Sequence, residues 1–303
     1  MNGNSLDDTG LDAARRAVAA LGSALTAELL DRTTAIYAPL HAAAAPEDIL
    51  ITRDAAYGAD ARHRLDLFRP EAPSVRRTAV VFVHGGGFVG GDKSKPGSPF
   101  YDNVGVWAVR QGFVGVNITY RLAPGAPWPA GADDVAAAAE WLSGQAAALG
   151  IDHILLLGQS AGAAHVAAAL ALHEARLKGA GVRGAVLLSG VYDLTAANPK
   201  AVSAAYYGSD AALFAERSSQ ARLLECAIPW LVGMAEHDPS HFQRQALGLI
   251  DAAFAKRRTL PPLLQLLGHN HLSGMLHLGL PRDQLGPAVA EFAAACVAAA
   301  DPT

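Results

Sequence analysis

Hydrophobic and polar positions along this chain follow two rhythms. Residues 11–45, through LDAARRAVAALGSALTAELLDRTTAIYAPL, repeat apolar side chains at helical spacing and predict helix. The ten residues before them are polar and are expected to fray. From about residue 48 the pattern shortens. ILITRDAAYG and RHRLDLFRP read as a pair of strands at a sheet edge. TAVVFVH (78–84), FVGVNITY (113–120) and HILLLGQ (153–159) are nearly continuous apolar runs, as expected of strands covered on both faces. RGAVLLSG (183–190), IPWLVGM (228–234) and PLLQLLG (262–268) extend the series. Helices are expected over about 131–148, directly after Ser160, and over about 283–299. Asp133 and Asp134 stand in the first turn of the 131–148 helix, where a negative charge suits the dipole.

Strands alternating with helices predict an α/β fold, a mostly parallel sheet with helices on both faces. There is no internal repeat. Residues 195–225 break the rhythm with turns and a short helical stretch. The chain is therefore read as one domain, 1–303, with a small helical cap built from residues 1–45 and 195–225.

Composition narrows the function classes. With 303 residues, 51% hydrophobic and 17% charged, the chain can bury a full core and is too apolar to be disordered. Alanine in the helical stretches adds helix propensity. The formal net charge is -4, and basic residues cluster only briefly, at Arg15–Arg16, Arg76–Arg77 and Lys256–Arg258. No nucleic-acid or anionic-membrane partner is expected from that balance. Cys226 and Cys296 could form at most one bridge and are read as buried thiols in a reducing compartment. The opening MNGNSLDDTG lacks the pattern of a signal peptide. No apolar stretch approaches the roughly 20 residues of a membrane span. A cytoplasmic, soluble protein is expected, and a homodimer stays open.

The chemistry concentrates in three places. Gly158-Gln159-Ser160-Ala161-Gly162 follows a buried strand and opens a helix. A G-x-S-x-G string in that setting is a nucleophile elbow: a tight turn projects the serine hydroxyl, and small flanking residues let strand and helix crowd together. The Ala161 N–H at the helix start points toward a developing anion. His84-Gly85-Gly86-Gly87-Phe88 ends the 78–84 strand. Its glycines leave backbone N–H groups free to converge on one oxygen, as an oxyanion hole requires. One such donor typically contributes about 2.7–4 kcal/mol of transition-state stabilisation. Gly85, Gly87 and Gly90 also match a dinucleotide fingerprint, but GDKSKPGSP cannot start the required helix, and the next strand ends in Asn117-Ile118-Thr119-Tyr120 without an acid for a ribose.

A serine hydroxyl needs a base. Of eleven histidines, the late ones are His269, His271 and His277, around GHNHLSG beyond the last strand. His271 is the favoured base, His269 the second choice, and His277 is read as structural. The orienting acid should follow IPWLVGM, where Asp238 is favoured over Glu236; an aspartate before proline is also a common turn former. Ser160, Asp238, His271 is then the chain order of an α/β-hydrolase triad. His269 with His271 makes a poor metal site, since no third ligand is suitably spaced and neither H-E-x-x-H nor C-x-x-C occurs.

These motifs resemble the HGGG-type bacterial esterases of the hormone-sensitive-lipase-like branch, and the feruloyl-esterase and arylformamidase-like group of the same α/β-hydrolase superfamily. HGGGF, YRLAP (Tyr120–Pro124), PWPAGADD (Pro127–Asp134), GQSAG, GVYDL (Gly190–Leu194), EHDP and GHNH carry the resemblance across about residues 50–299. It implies an eight-stranded sheet and a cofactor-free carboxylesterase acting on small-molecule esters through an acyl-enzyme. It implies that Gly86, Gly87 and Ala161 donate to the oxyanion while Gly85 shapes the loop. It also implies that Tyr120, Arg121 and Asp134 brace that loop. Gln159 before the serine, Gly162-Ala163 after it, Gly125 after YRLAP and the short cap depart from the lipase-like pattern. They turn the reading toward the feruloyl-esterase or arylformamidase side. Phe88, Trp128, Tyr206 and Tyr207 are candidates to line an apolar acyl or aryl pocket, with core packing as the competing role for each.

Overall fold

The computed structural model describes residues 8–41, 47–72, 74–196 and 203–300. The expectations for residues 1–7, 42–45 and 197–202, parts of both cap segments, lie outside the described residues. The strands are β1 (Ile49–Ala56), β2 (Arg64–Pro70), β3 (Thr78–Val83), β4 (Val114–Ile118), β5 (His153–Gln159), β6 (Val182–Leu188), β7 (Trp230–His237) and β8 (Leu263–Asn270). They form one sheet in the order β1-β2-β4-β3-β5-β6-β7-β8. β2 runs antiparallel to both neighbours, and every other pairing is parallel.

Helices fill the connections. α1 (Asp8–Ala20) and α2 (Ala27–Tyr37) precede the sheet, and α3 (Asp102–Arg110) joins β3 to β4. α4 (Ala130–Gly144) and the one-turn α5 (Ala146–Leu149) lead into β5, and α6 (Ala161–Gly179) leads out of it. The short helices α7 (Ala204–Tyr207), α8 (Phe214–Arg217) and α9 (Gln220–Leu223) lie between β6 and β7. α10 (Ser240–Arg257) joins β7 to β8, and α11 (Ser273–His277) and α12 (Leu285–Ala300) close the chain.

Two core layers explain the continuous apolar runs. Val81, Val83, Val116, Leu156 and Leu187 face α4, α6 and α10. Their strand neighbours Val80, Phe82, Leu155, Leu157 and Val186 face α3, α11 and α12. Successive strand residues point to opposite faces, so covering both faces removes the polar half of the alternation.

The structure corrects several boundaries. The helix expected over 11–45 is two helices: Gly22 takes φ +74° past the end of α1, and the Thr26 hydroxyl caps α2 by accepting from Leu29 N. α3 and α10 had no counterpart in the sequence reading. α10 begins at Ser240, directly after Asp238-Pro239, and its first turn (SHFQ) is too mixed to announce a helix. β7 and β8 run further than expected, so His237 and His269 are strand residues rather than loop residues. Among the described residues no helix is long and apolar enough to cross a membrane.

Candidate active site

In a parallel sheet all strands deliver their carboxyl ends to one edge, and loops gather there. The ends of β3, β5, β7 and β8 supply the glycine loop, Ser160, Asp238 and His271. Ser160 sits between β5 and α6 with φ 57° and ψ -120°, a region costly for any residue with a Cβ. Its N–H donates to Leu188 O at 2.8 Å, tying the turn to β6. The turn closes this tightly because residue 162 is glycine: a Cβ there would lie 2.0 Å from Val83 O.

The hydroxyl is not alone. Ser160 Oγ lies 2.8 Å from His271 Nε2, and His271 Nδ1 lies 2.7 Å from Asp238 Oδ1. With Nδ1–H donating to the carboxylate, Nε2 keeps its lone pair toward the serine proton. The other carboxylate oxygen, Oδ2, accepts from Ser189 Oγ at 2.6 Å and Ala235 N at 2.7 Å. All of Asp238's charge is thus directed by hydrogen bonds inside a buried site. Phe242 stacks on the His271 ring at 4.2 Å. Gln159 Nε2 donates to the His271 carbonyl at 2.8 Å. From the other side Asn270 Oδ1 accepts from Leu272 N and Ser273 N, and Asn270 Nδ2 donates to Thr33 Oγ1 at 2.8 Å. The loop carrying the imidazole is therefore anchored both to the elbow and to α2.

The competing candidates are placed elsewhere. His269 Nδ1 meets Ser273 Oγ at 3.0 Å, and its Nε2 faces His277 Nδ1 at 3.4 Å. Burial pushes His269 down to about 3 and His277 to about 4, so both are neutral packing groups near neutral pH. Glu236 accepts from Gly268 N at 2.7 Å and ties β7 to β8.

On the opposite side of Ser160 the glycine loop turns back on itself, with Val89 N and Gly90 N both donating to Gly86 O. Gly86 has φ +134°, and a Cβ there would meet Gly90 O at 2.0 Å. Among the described residues none accepts from the N–H of Gly86, Gly87 or Ala161. Tyr120 OH donates to His84 O at 2.9 Å, and its ring stacks on His84. Arg121 and Asp134 form a multiple ion pair that His63 joins. Arg62, which the sequence did not single out, donates to Gly91 O at 2.9 Å and Tyr120 O at 3.1 Å, holding the loop from outside.

Phe88, Tyr206 and Tyr207 are buried, and they pack on one another with Val191, Leu194 and Phe242 against Ala161 and Ala164. Of the two roles open to them, pocket lining and core packing, the structure shows the packing: their faces are largely occupied by each other. Trp128 is half-buried at the edge of this cluster, with the Arg217 guanidinium 5.8 Å from its ring centroid. Cys226 and Cys296 are free and buried. Gln159, Ser189, Phe242, Asn270, Thr33 and Arg62 are the site residues that motif reading missed. Only Gln159 carried a signal, as a departure from the acid common before the serine.

A sheet of this order, an elbow serine after its central strand that meets a late histidine, and a glycine loop beside that serine define an α/β-hydrolase. Residues 65–233, more than half of the chain, match the BD-FAE family model, and the chain belongs to that family. It is 36% identical over 132 residues to tuliposide A-converting enzyme 2, chloroplastic, of Tulipa gesneriana, covering 39% of this chain and 32% of that protein. It is 35% identical over 102 residues to ethyl acetate hydrolase of Pseudomonas putida, covering 32% of this chain and 30% of that one. The aligned part thus spans about a third of the length of these curated relatives. Among solved structures, a phosphonate-inhibited esterase B from Lactobacillus rhamnosis shares the fold, with TM-score 0.70, 20% identity, and coverage of 97% of this chain and 98% of that one.

Proposed function

We propose that this chain is a serine carboxylesterase acting on small esters through a Ser160–His271–Asp238 triad. The observation that carries the reading is the unbroken hydrogen-bonded line from the Ser160 hydroxyl through both ring nitrogens of His271 to Asp238. In the first step Ser160 Oγ attacks the ester carbonyl while His271 Nε2 takes its proton, and Asp238 stabilises the imidazolium. The carbonyl oxygen becomes an oxyanion that accepts from the N–H groups of Gly86, Gly87 and Ala161. His271 then gives the proton to the leaving alcohol. Water repeats the sequence, releasing the acid and free Ser160. Relatives named as ester-cleaving enzymes support this chemistry. No cofactor has a part in it. α1, α2 and the 203–225 segment are read as the cap over this edge of the sheet, and the two buried thiols suit a reducing compartment.

The test is turnover of p-nitrophenyl acetate and butyrate by wild type and Ser160→Ala. Turnover should be abolished in the variant; activity near that of wild type would show that another group is the nucleophile. Methyl ferulate and N-formylkynurenine, assayed beside them, separate plain ester cleavage from feruloyl-esterase and arylformamidase chemistry on the same triad.

A further inference from the structure

We propose that Phe88 and Tyr206 are positioning residues for the oxyanion loop, the aromatic clamp that holds its backbone donors in place, rather than substrate contacts. This rests on the reading of Ser160 as nucleophile. Gly86, Gly87 and Phe88 have φ values of 134°, 60° and 71° in succession. Glycine takes such angles freely, but phenylalanine does not. A Phe in this conformation persists only where its surroundings over-determine it.

The surroundings are unusually complete. The Phe88 ring lies parallel to Tyr206, with centroids 4.7 Å apart and 9° between planes. The edges of His165 and Tyr207 close two further sides, each at 5.2 Å. The Phe88 carbonyl accepts from Ala123 N at 3.0 Å. Tyr206 is itself fixed: its carbonyl accepts from Trp128 N at 2.9 Å, and its hydroxyl accepts from Gly131 N at 3.3 Å. Only 1% of Tyr206 is exposed, so it has almost no surface to offer a ligand. Among the described residues neither ring nitrogen of His165 has a hydrogen-bond partner, so that ring contributes shape. The same cluster presses on Ala161 and Ala164, the first turn of α6. One packed unit therefore sets the loop that holds Gly86 and Gly87 and the helix start that holds Ala161, all three donors of the oxyanion hole. Donors fixed before reaction lower the barrier most, and a small misalignment is felt in the rate.

The experiment is the rate of Ser160 labelling by a fluorophosphonate, together with kcat and KM on p-nitrophenyl acetate. The proteins are wild type, Tyr206→Phe, Tyr206→Leu and Ser160→Ala. Phosphonylation passes through the same hole, so it reads the clamp without a known substrate. Tyr206→Leu should label about tenfold more slowly and lose about tenfold in kcat with KM within about twofold. Tyr206→Phe keeps the stacked ring and should stay within about threefold of wild type. Should Tyr206→Leu not fold, Tyr206→Met, which fills similar volume without a ring, carries the same expectation. A rise in KM with kcat and labelling unchanged would make Tyr206 a substrate contact and overturn the clamp. Equal damage from Phe and Leu would also overturn it, by assigning the effect to the hydroxyl. Absent labelling of wild type, or labelling of Ser160→Ala equal to it, would instead remove the serine-hydrolase reading itself.

Discussion

Replacing Gln159 with methionine isolates one bond that holds the proposed base, His271. Gln159 ends β5, is 1% exposed, and donates from Nε2 to His271 O at 2.8 Å. Methionine has similar length and removes both polar atoms, so packing changes little while a buried carbonyl loses its donor. Such a loss costs about 1–3 kcal/mol. The imidazole hangs from the same residue, with its two working bonds at 2.7 and 2.8 Å. If about 1.4 kcal/mol of the cost falls on His271's position in the acylation transition state, kcat drops about tenfold. The remainder falls on stability, where 1 kcal/mol shifts Tm by about 2–4 °C in a protein somewhat smaller than this one. Steady-state kinetics on p-nitrophenyl acetate and a circular-dichroism melt separate the two shares. The expected result for Gln159→Met is kcat down about tenfold, KM within about twofold, and Tm a few degrees lower. A kcat within twofold of wild type beside a lowered Tm would show that the bond only ties loop to sheet, and the positioning argument would be wrong.

Two further outcomes follow from groups away from the reacting atoms. Thr33→Val keeps the shape of a buried side chain but leaves Asn270 Nδ2 without its acceptor; Tm should fall by a few degrees with a several-fold loss of kcat, and Thr33→Ser should restore both, whereas an unchanged melt would mean that α2 does not brace the base. Burial holds His84 and His277 at about 4, and His165 and His269 at about 3, all below the ordinary value of 6.5. Above pH 6.5 these rings are neutral folded or unfolded; below it the unfolded chain takes protons the folded chain refuses. Stability should therefore fall as pH drops from 6.5 toward 4, by at most about 1.4 kcal/mol per pH unit for each ring. Urea unfolding at pH 7, 6 and 5 reads this, and a constant midpoint would contradict it.

Much of the fold was legible because burial on both faces writes a strand as an unbroken apolar run, as in TAVVFVH and HILLLGQ. The catalytic candidates were legible for a different reason. Chemistry at a tight strand–helix turn restricts residue types over a few neighbouring positions, so GQSAG and HGGGF stand out. The helix α10 was missed because its faces mix polar and apolar residues without a clear stripe, and α3, whose apolar positions do form one, because it is only nine residues long and follows the turn-rich GDKSKPGSP. The supports of the site were illegible because each is a pairing across the chain. Thr33 and Asn270 are 237 positions apart, and Ser189 and Asp238 are 49 apart. Nothing local in either member announces its partner. Phe88 and Tyr206 stayed open between pocket and core packing because an aromatic beside a reactive group has the same letter whether it faces a ligand or another ring.

The strand order has a consequence for how the molecule becomes active. The glycine loop leaves β3, Ser160 follows β5, and the His271 imidazole arrives only with β8, at the far edge of the sheet and the last strand in the chain. Contacts of such long sequence separation form late and slowly. Under the proposed triad, Ser160 therefore meets its proton acceptor only once β8 has joined the sheet, so recovered turnover in a refolding experiment should report the docking of the final strand rather than the collapse of the core.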